Sequence, residues 1–206
     1  MATLPKVLLW TRTDVPGAET VVFDDRRGLV ARGTQQAVDP IPYLARYELI
    51  VDENWQTSRL DVSVEGAGWM RTVRLQRATG RWRATTGEQG DLDAALVAAG
   101  QRRVGLPGIE DAARLERALD VDLGGSPLTN TLVIRRLGLL KATPDRPTTV
   151  QTAWVLLPSL EIIAGEHTYT PLGGNRIRYE SDSFRADMTV DGQGFVRDYP
   201  GLAKRG

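Results

Sequence analysis

Two aspartates one residue apart, Asp120 and Asp122, precede two adjacent arginines, Arg135 and Arg136. If the aspartates lie on a strand, both carboxylates share one face, because side chains two apart point the same way. Paired carboxylates can divide acid and base roles or bind a hard cation. Two carboxylates alone are too few ligands for a calcium or magnesium site. The competing reading is structural, since Arg–carboxylate forks are common architectural clamps. Asp120, Asp122, Arg135 and Arg136 therefore read first as a structural clamp and only second as a charged catalytic site. His167, the one histidine, sits beside Glu166 in an alternating stretch. It could act as a general base, but nothing near it nominates a nucleophile.

The residues that are missing narrow the chemistry further. There is no cysteine, which removes disulfides, thiol nucleophiles, zinc fingers and thiolate-held iron–sulfur clusters. A triad of the Ser-His-Asp kind would have to use His167, and no G-x-S-x-G elbow or phosphate-binding loop is present. Gly192-Gln193-Gly194 is followed by strand-like residues and reads as a hairpin turn. No catalytic residue, metal or cofactor is assigned. The 206 residues hold 26 Lys+Arg against 26 Asp+Glu, a neutral balance that lacks the footprint of a general nucleic-acid binder. With 41% hydrophobic and 25% charged residues, the chain has the composition of a soluble globular protein. The apolar run at 7–10 is too short for a signal-peptide core. No stretch approaches the ~20 apolar residues of a transmembrane helix, so the expected location is the cytoplasm.

The elements that must position these residues are mostly strands. Tyr43, Ala45, Tyr47, Leu49 and Val51 share one parity, with Leu44, Arg46, Glu48, Ile50 and Asp52 on the other. A period of two places these sets on opposite faces of a strand. Leu60, Val62 and Val64, then Trp69, Val73 and Leu75, continue the pattern across turns at 66–68 and Thr79-Gly80. Segments 149–157, 162–170, 176–181 and 184–190 read the same way. The middle differs: 91–99 and 109–119 have helical composition, separated by the loop-like QRRVGLPG. From Ser126 the residues pull both ways. Thr129, Thr131, Val133 and Ile134 favour a strand; Ser126 as N-cap, Pro127 at the first helical position, and Leu128 and Leu132 favour a helix. Helix is the better reading. No linker or repeat appears, so 1–206 is read as one mainly β domain.

The segment LDVDLGGSPLTNTLVIRRL, residues 119–137, resembles the signature of the glycolipid-binding family of bacterial proteins, formerly a domain of unknown function. Asp120, Asp122, Ser126, Pro127, Thr129, Asn130, Thr131, Leu132, Ile134, Arg135 and Arg136 keep its pattern, and Val133 stands where the family usually has proline. Arg178-Tyr179-Glu180-Ser181, Phe184, Val190-Asp191, Gly194, Val196 and Asp198-Tyr199-Pro200-Gly201 resemble its closing stretch. Glu19, Trp55, Arg71 and the strand around Trp82 fit more loosely. The resemblance implies a spiral β-roll: a long antiparallel sheet wrapped around a central helix, forming homodimers, and likened to the half-barrel carriers of bacterial lipoproteins. Here it would carry an extra helical insertion at about 91–117. It implies a non-catalytic binding protein for a glycolipid or similar amphiphile, with an acyl chain inside the roll and Asn130, Arg135, Arg136, Arg178 and Tyr179 as head-group contacts. The alternatives are a dimeric structural or regulatory protein without ligand, and an enzyme built on Asp120, Asp122, Arg135 and Arg136.

Overall fold

Alternation of apolar and polar residues produces a long meander of strands. The computed structural model describes residues 4–24, 29–108, 112–182 and 184–206. The first half runs β1 (Val7–Arg12), β2 (Gly17–Asp24), β3 (Leu29–Ala37), β4 (Tyr43–Val51), β5 (Thr57–Gly66), β6 (Trp69–Ala78) and β7 (Arg81–Gln89). Helix α1 (Leu92–Ala98) and a 3-10 turn (Ala112–Leu115) follow, then β8 (Asp120–Leu123) and helix α2 (Pro127–Arg136). A second 3-10 turn (Leu139–Lys141) leads to β9 (Thr148–Val155), β10 (Ile162–Pro171), β11 (Arg176–Ser181), β12 (Phe184–Val190), β13 (Val196–Tyr199) and β14 (Ala203–Arg205).

All of these strands lie in one sheet, ordered β7-β6-β5-β4-β3-β2-β1-β14-β13-β12-β11-β10-β9-β8. Both ends of the chain thus meet in the middle of the sheet, where β1 pairs with β14. The pairs are antiparallel with one exception, β8 against β9, which is parallel. That pair departs from the expected all-antiparallel sheet. It arises because the chain between β8 and β9 crosses over through α2, and a crossover of that length joins parallel strands. The fold is otherwise the expected one: mainly β, a sheet rolled around a helix.

The two edge strands, β7 and β8, are brought near each other by the accumulated twist of the sheet. On β7, Trp82 Nε1 donates to the Ala118 carbonyl at 3.0 Å. At the start of β5, the Thr57 N–H donates to the Leu119 carbonyl at 3.0 Å, and Val121 N–H donates to Thr57 Oγ1 at 3.2 Å. These contacts bridge the edges without a continuous ladder, so the sheet is an open roll and not a closed barrel.

Helix α2 fills the middle of the roll. Its residues from Pro127 to Ile134 are all buried. Leu128 and Leu132 join the apolar cluster of the first-half strands, and Val133 and Ile134 join that of the second half. The helix is therefore the common core of two clusters, which is why its sequence shows no single apolar stripe. The inserted segment links the two sheet edges. Asp91 caps α1 by accepting from the Ala94 N–H at 2.8 Å. Buried Arg71 on β6 donates to Glu88 at 3.0 Å and to the Ser159 carbonyl at 3.1 Å. The helix expected over 109–119 is a correction in part: residues 109–111 lie outside the described residues, and the described remainder is the short 3-10 turn. Leu115 and Ala118 are buried, and the Ala118 carbonyl is taken by Trp82, so no further helical turn forms before β8. No helix among the described residues is long and apolar enough to cross a membrane.

One close approach yields a direct test. Gly33 on β3 faces Tyr47 on β4, and a Cβ at Gly33 would lie 2.1 Å from a carbon of the Tyr47 ring. Gly33→Ala must displace that ring, and overpacking of this kind costs about 1–3 kcal/mol. For a chain of this size the melting temperature should fall by roughly 2–12 °C. Gly87→Ala, whose Cβ would meet only Thr72 Oγ1 at 3.1 Å, should cost less. Calorimetric melting of both variants decides the point, and equal melting of Gly33→Ala and parent would contradict it.

Candidate functional site: a pocket at the start of the buried helix

The start of α2 is not capped as the sequence suggests. Ser126 occupies the N-cap position with extended backbone and Pro127 opens the first turn, but the serine side chain makes no cap bond. Its hydroxyl donates instead to Glu19 Oε1 at 2.6 Å. Glu19 lies on β2, far back in the sequence, and is fully buried. Tyr47 on β4 donates to the same oxygen at 2.6 Å, and the Leu128 amide lies near enough to lower the pKa of this carboxyl. A distant carboxyl thus draws away the hydroxyl that would otherwise cap the helix. Burial pushes the Glu19 pKa from 4.5 to about 7, against the pull of those hydrogen bonds and of the Arg12 charge. Beside it, Gln35 Nε2 donates to the Gly124 carbonyl at 3.1 Å. Gly125 has φ +75°, and a Cβ there would lie 2.1 Å from the Arg12 guanidinium, so both backbone sign and space demand glycine.

Next to Ser126 lies a pocket of about 270 Å³. Its polar walls include Asp14, Asp122, Ser126 and Asn130, and its rings are Trp154, Tyr179, Phe184 and Tyr199. Asp122, on β8, accepts from the Thr129 hydroxyl at 2.7 Å through Oδ1. Its Oδ2 faces His167 Nδ1 at 3.4 Å, and its side chain remains 18% exposed. Burial raises the Asp122 pKa, while the neighbouring His167 and the Thr129 hydroxyl pull it down. Asn130 Oδ1 accepts from the Tyr169 hydroxyl at 3.0 Å. Tyr179, Phe184 and Tyr199 contact one another pairwise, with centroids 5.8–6.2 Å apart, and Trp154 meets His167 edge-on at 5.6 Å. Asp14 is engaged by Arg12, whose Nε donates to it at 2.7 Å.

The residues singled out from sequence scatter over several places. Asn130 and Tyr179 line the pocket. Arg136 forks onto Asp120, with Nε at 3.1 Å and Nη2 at 2.6 Å from Oδ2, and Asp120 is fully buried. Arg135 stacks over the Trp55 ring at 4.2 Å and donates through Nε to the Gln193 carbonyl at 2.6 Å; burial lowers its pKa. Arg178 faces outward on β11 and pairs with Asp187 at 2.6 Å. Asp120 and Asp122 do share a face of β8, but they reach different turns of α2, one to Arg136 and the other to Thr129. The four charged residues Asp120, Asp122, Arg135 and Arg136 therefore do not converge in one open cleft.

Sequence reasoning passed over Glu19, Asp14, Trp154, Phe184 and Tyr199 as site residues. A signal existed for Glu19: it alternates with Val21 at an inward-facing position of β2, where a carboxylate is out of place unless partnered. Gln35 breaks the inward parity of β3 and His167 that of β10 in the same way.

An open β-roll around one buried helix, with a small pocket of rings and hydrogen-bonding groups at the helix start, defines the class of structure. The chain belongs to the family described as "Putative glycolipid-binding", whose model matches residues 7–205. Among solved structures, the chain is similar to the crystal structure of a DUF1089 family protein from Pseudomonas aeruginosa. The two share 27% identity over 92% of each chain, with a TM-score of 0.71. Among curated proteins, none matches.

Two stability measurements follow from this geometry. Arg136→Ala strands the buried Asp120 carboxylate, which costs about 3–5 kcal/mol. Arg135→Ala loses a ring stack worth about 0.5–2 kcal/mol and should be milder. Urea titration of both variants checks the order. The second concerns Glu19. Its folded pKa is raised, so its stabilising contribution is complete below pH 4.5 and is lost as pH rises toward about 7. The loss amounts to about 3 kcal/mol. The parent-minus-Glu19→Gln difference in unfolding free energy should fall across that window and level off above it. A difference that rises with pH would show Glu19 to be ionised and paired in the fold.

Proposed function

We propose that the chain is a non-catalytic binding protein for a glycolipid or similar amphiphile, and that the pocket beside α2 holds its head group. The observation that carries this reading is the pairing of Trp154, Tyr179, Phe184 and Tyr199 with Asp122, Asn130 and Ser126 around one space. A sugar ring has apolar faces that suit aromatic walls and a rim of hydroxyls that suits carboxylate, amide and serine oxygens. The family's description supports the same reading. At about 270 Å³ the pocket falls just under the ~300–1,000 Å³ of drug-sized sites, which is room for a head group and not for a long acyl chain. The roll's interior is occupied by Leu128, Leu132, Val133 and Ile134. An acyl chain inside the roll is thus replaced in this reading by one that leaves across half-buried Trp154, Phe184 and Leu202.

One unbroken sheet and a family match from 7 to 205 support reading the chain as a single domain. A homodimer belongs to the same proposal. Val7, Leu9 and Val22 are exposed on adjacent strands β1 and β2 and would be covered by a second copy.

The test is a fluorescence titration with alkyl glucosides of increasing chain length. Affinity should rise over the first few methylenes, each worth up to about 0.8 kcal/mol, and then level off once the exit rings are covered. The emission change should be lost in Trp154→Phe. No saturable response to any member of the series would overturn the reading.

A further inference from the structure

We propose that the head group selected by this pocket carries a cationic amine, as an amino sugar does. The inference rests on the binding reading above and sharpens it. Among the described residues lining the pocket there is no Arg, Lys or His, while two are aspartates. Asp14 is already compensated by Arg12 through both carboxylate oxygens. Asp122 is not. Its neighbour on the same face of β8, Asp120, receives a guanidinium fork, but Asp122 receives only the Thr129 hydroxyl on Oδ1 and stands 3.4 Å from His167 on Oδ2. That second distance is long for a hydrogen bond. The exposed remainder of the Asp122 side chain belongs to a group that lines the pocket.

A carboxylate with no guanidinium or ammonium partner, largely removed from water, favours a ligand that brings positive charge. The rings favour the same ligand. Trp154, Tyr179, Phe184 and Tyr199 present π systems to the space, and an ammonium near such a face is attracted by the ring quadrupole. A neutral sugar would satisfy the rings and the hydroxyl partners Asn130 and Ser126, yet leave Asp122 Oδ2 with only the imidazole of His167, 3.4 Å away. An amine on the sugar adds a cation on the pocket side of that carboxylate.

Calorimetric titration of the full chain with octyl glucosaminide, octyl glucoside and free glucosamine tests this. The amino glycoside should bind about tenfold more tightly than the neutral one. Asp122→Asn keeps an oxygen for Thr129 and should bring the ratio of the two affinities to about one, whatever it does to the affinity for octyl glucoside itself. Equal binding of the two glycosides by the parent overturns the amine inference and leaves the glycolipid reading standing. Retention of the amine preference in Asp122→Asn also overturns the assignment to Asp122. Binding of neither glycoside removes both readings. Free glucosamine binding as tightly as its octyl derivative supports the amine inference and overturns the lipid part of the proposed function.

Discussion

The carboxyl of Glu19 is the contact on which the arrangement of the roll depends. It joins three elements that are far apart in sequence: β2, which carries it, β4 through Tyr47, and the start of α2 through Ser126. A helix buried on every side cannot send its first amides to water, so a partner must come from the surrounding sheet. Glu19 supplies a carboxyl at that point, bound to the Ser126 hydroxyl and close to the Leu128 amide. Its geometry explains Gly33 as well, because the Tyr47 ring that reaches Glu19 must cross β3 where no side chain stands in its way. It also explains Gly125, where the loop before α2 passes under Arg12 and Gln35.

The rest of the core follows from how α2 meets the two halves of the sheet. Leu128 and Leu132 anchor one cluster and Val133 and Ile134 the other, so the helix joins the two clusters, while the halves of the meander also touch directly where Phe23 meets Phe195 and Trp10 Nε1 donates to the Val196 carbonyl. At the far end of α2, the Asp120–Arg136 fork ties the last turn back to the edge strand β8. Tying both ends of the helix to different strands is what keeps the sheet rolled. The edges are bridged by Trp82 and Thr57 and do not zip into a barrel. The connection from β7 to β8 can then run across the gap, held by Arg71.

Much of the fold was legible because its strands are amphipathic. Segments such as 43–51, 162–170 and 184–190 alternate cleanly, and they are β4, β10 and β12. The strand order was not legible, since pairing of β1 with β14 is a contact between the two ends of the chain that no local pattern records. Helix α2 was readable from Ser126-Pro127 despite its β-branched residues, because the helix start is a local signal. What that reading missed was the destination of the serine hydroxyl, which is set by a carboxyl on another strand. The candidate site divides along the same line. Asn130 and Tyr179 were found because they sit in the motifs at 119–137 and 178–181. Trp154 lies outside both motifs, and Phe184 and Tyr199 entered only as part of the resemblance in the closing stretch; the folding of β9, β12 and β13 around α2 gathers the three beside Asp122.

The pocket is the outcome of burying a helix that is not fully apolar. Thr129 and Asn130 are buried, and each requires a polar partner at a real energetic cost if it is absent. Asp122 and Tyr169 answer that requirement, and they bring a carboxylate and an aromatic belt to the helix start. Once a carboxylate is recruited to satisfy a threonine, only one of its oxygens is occupied. The other then faces His167 at a distance too long to satisfy it, in a space bounded by rings. A purely structural solution would have closed this space, as it does at Asp120, where Arg136 occupies both oxygens. The difference between the two aspartates of β8 separates the part of this signature that closes on itself from the part that borders a pocket.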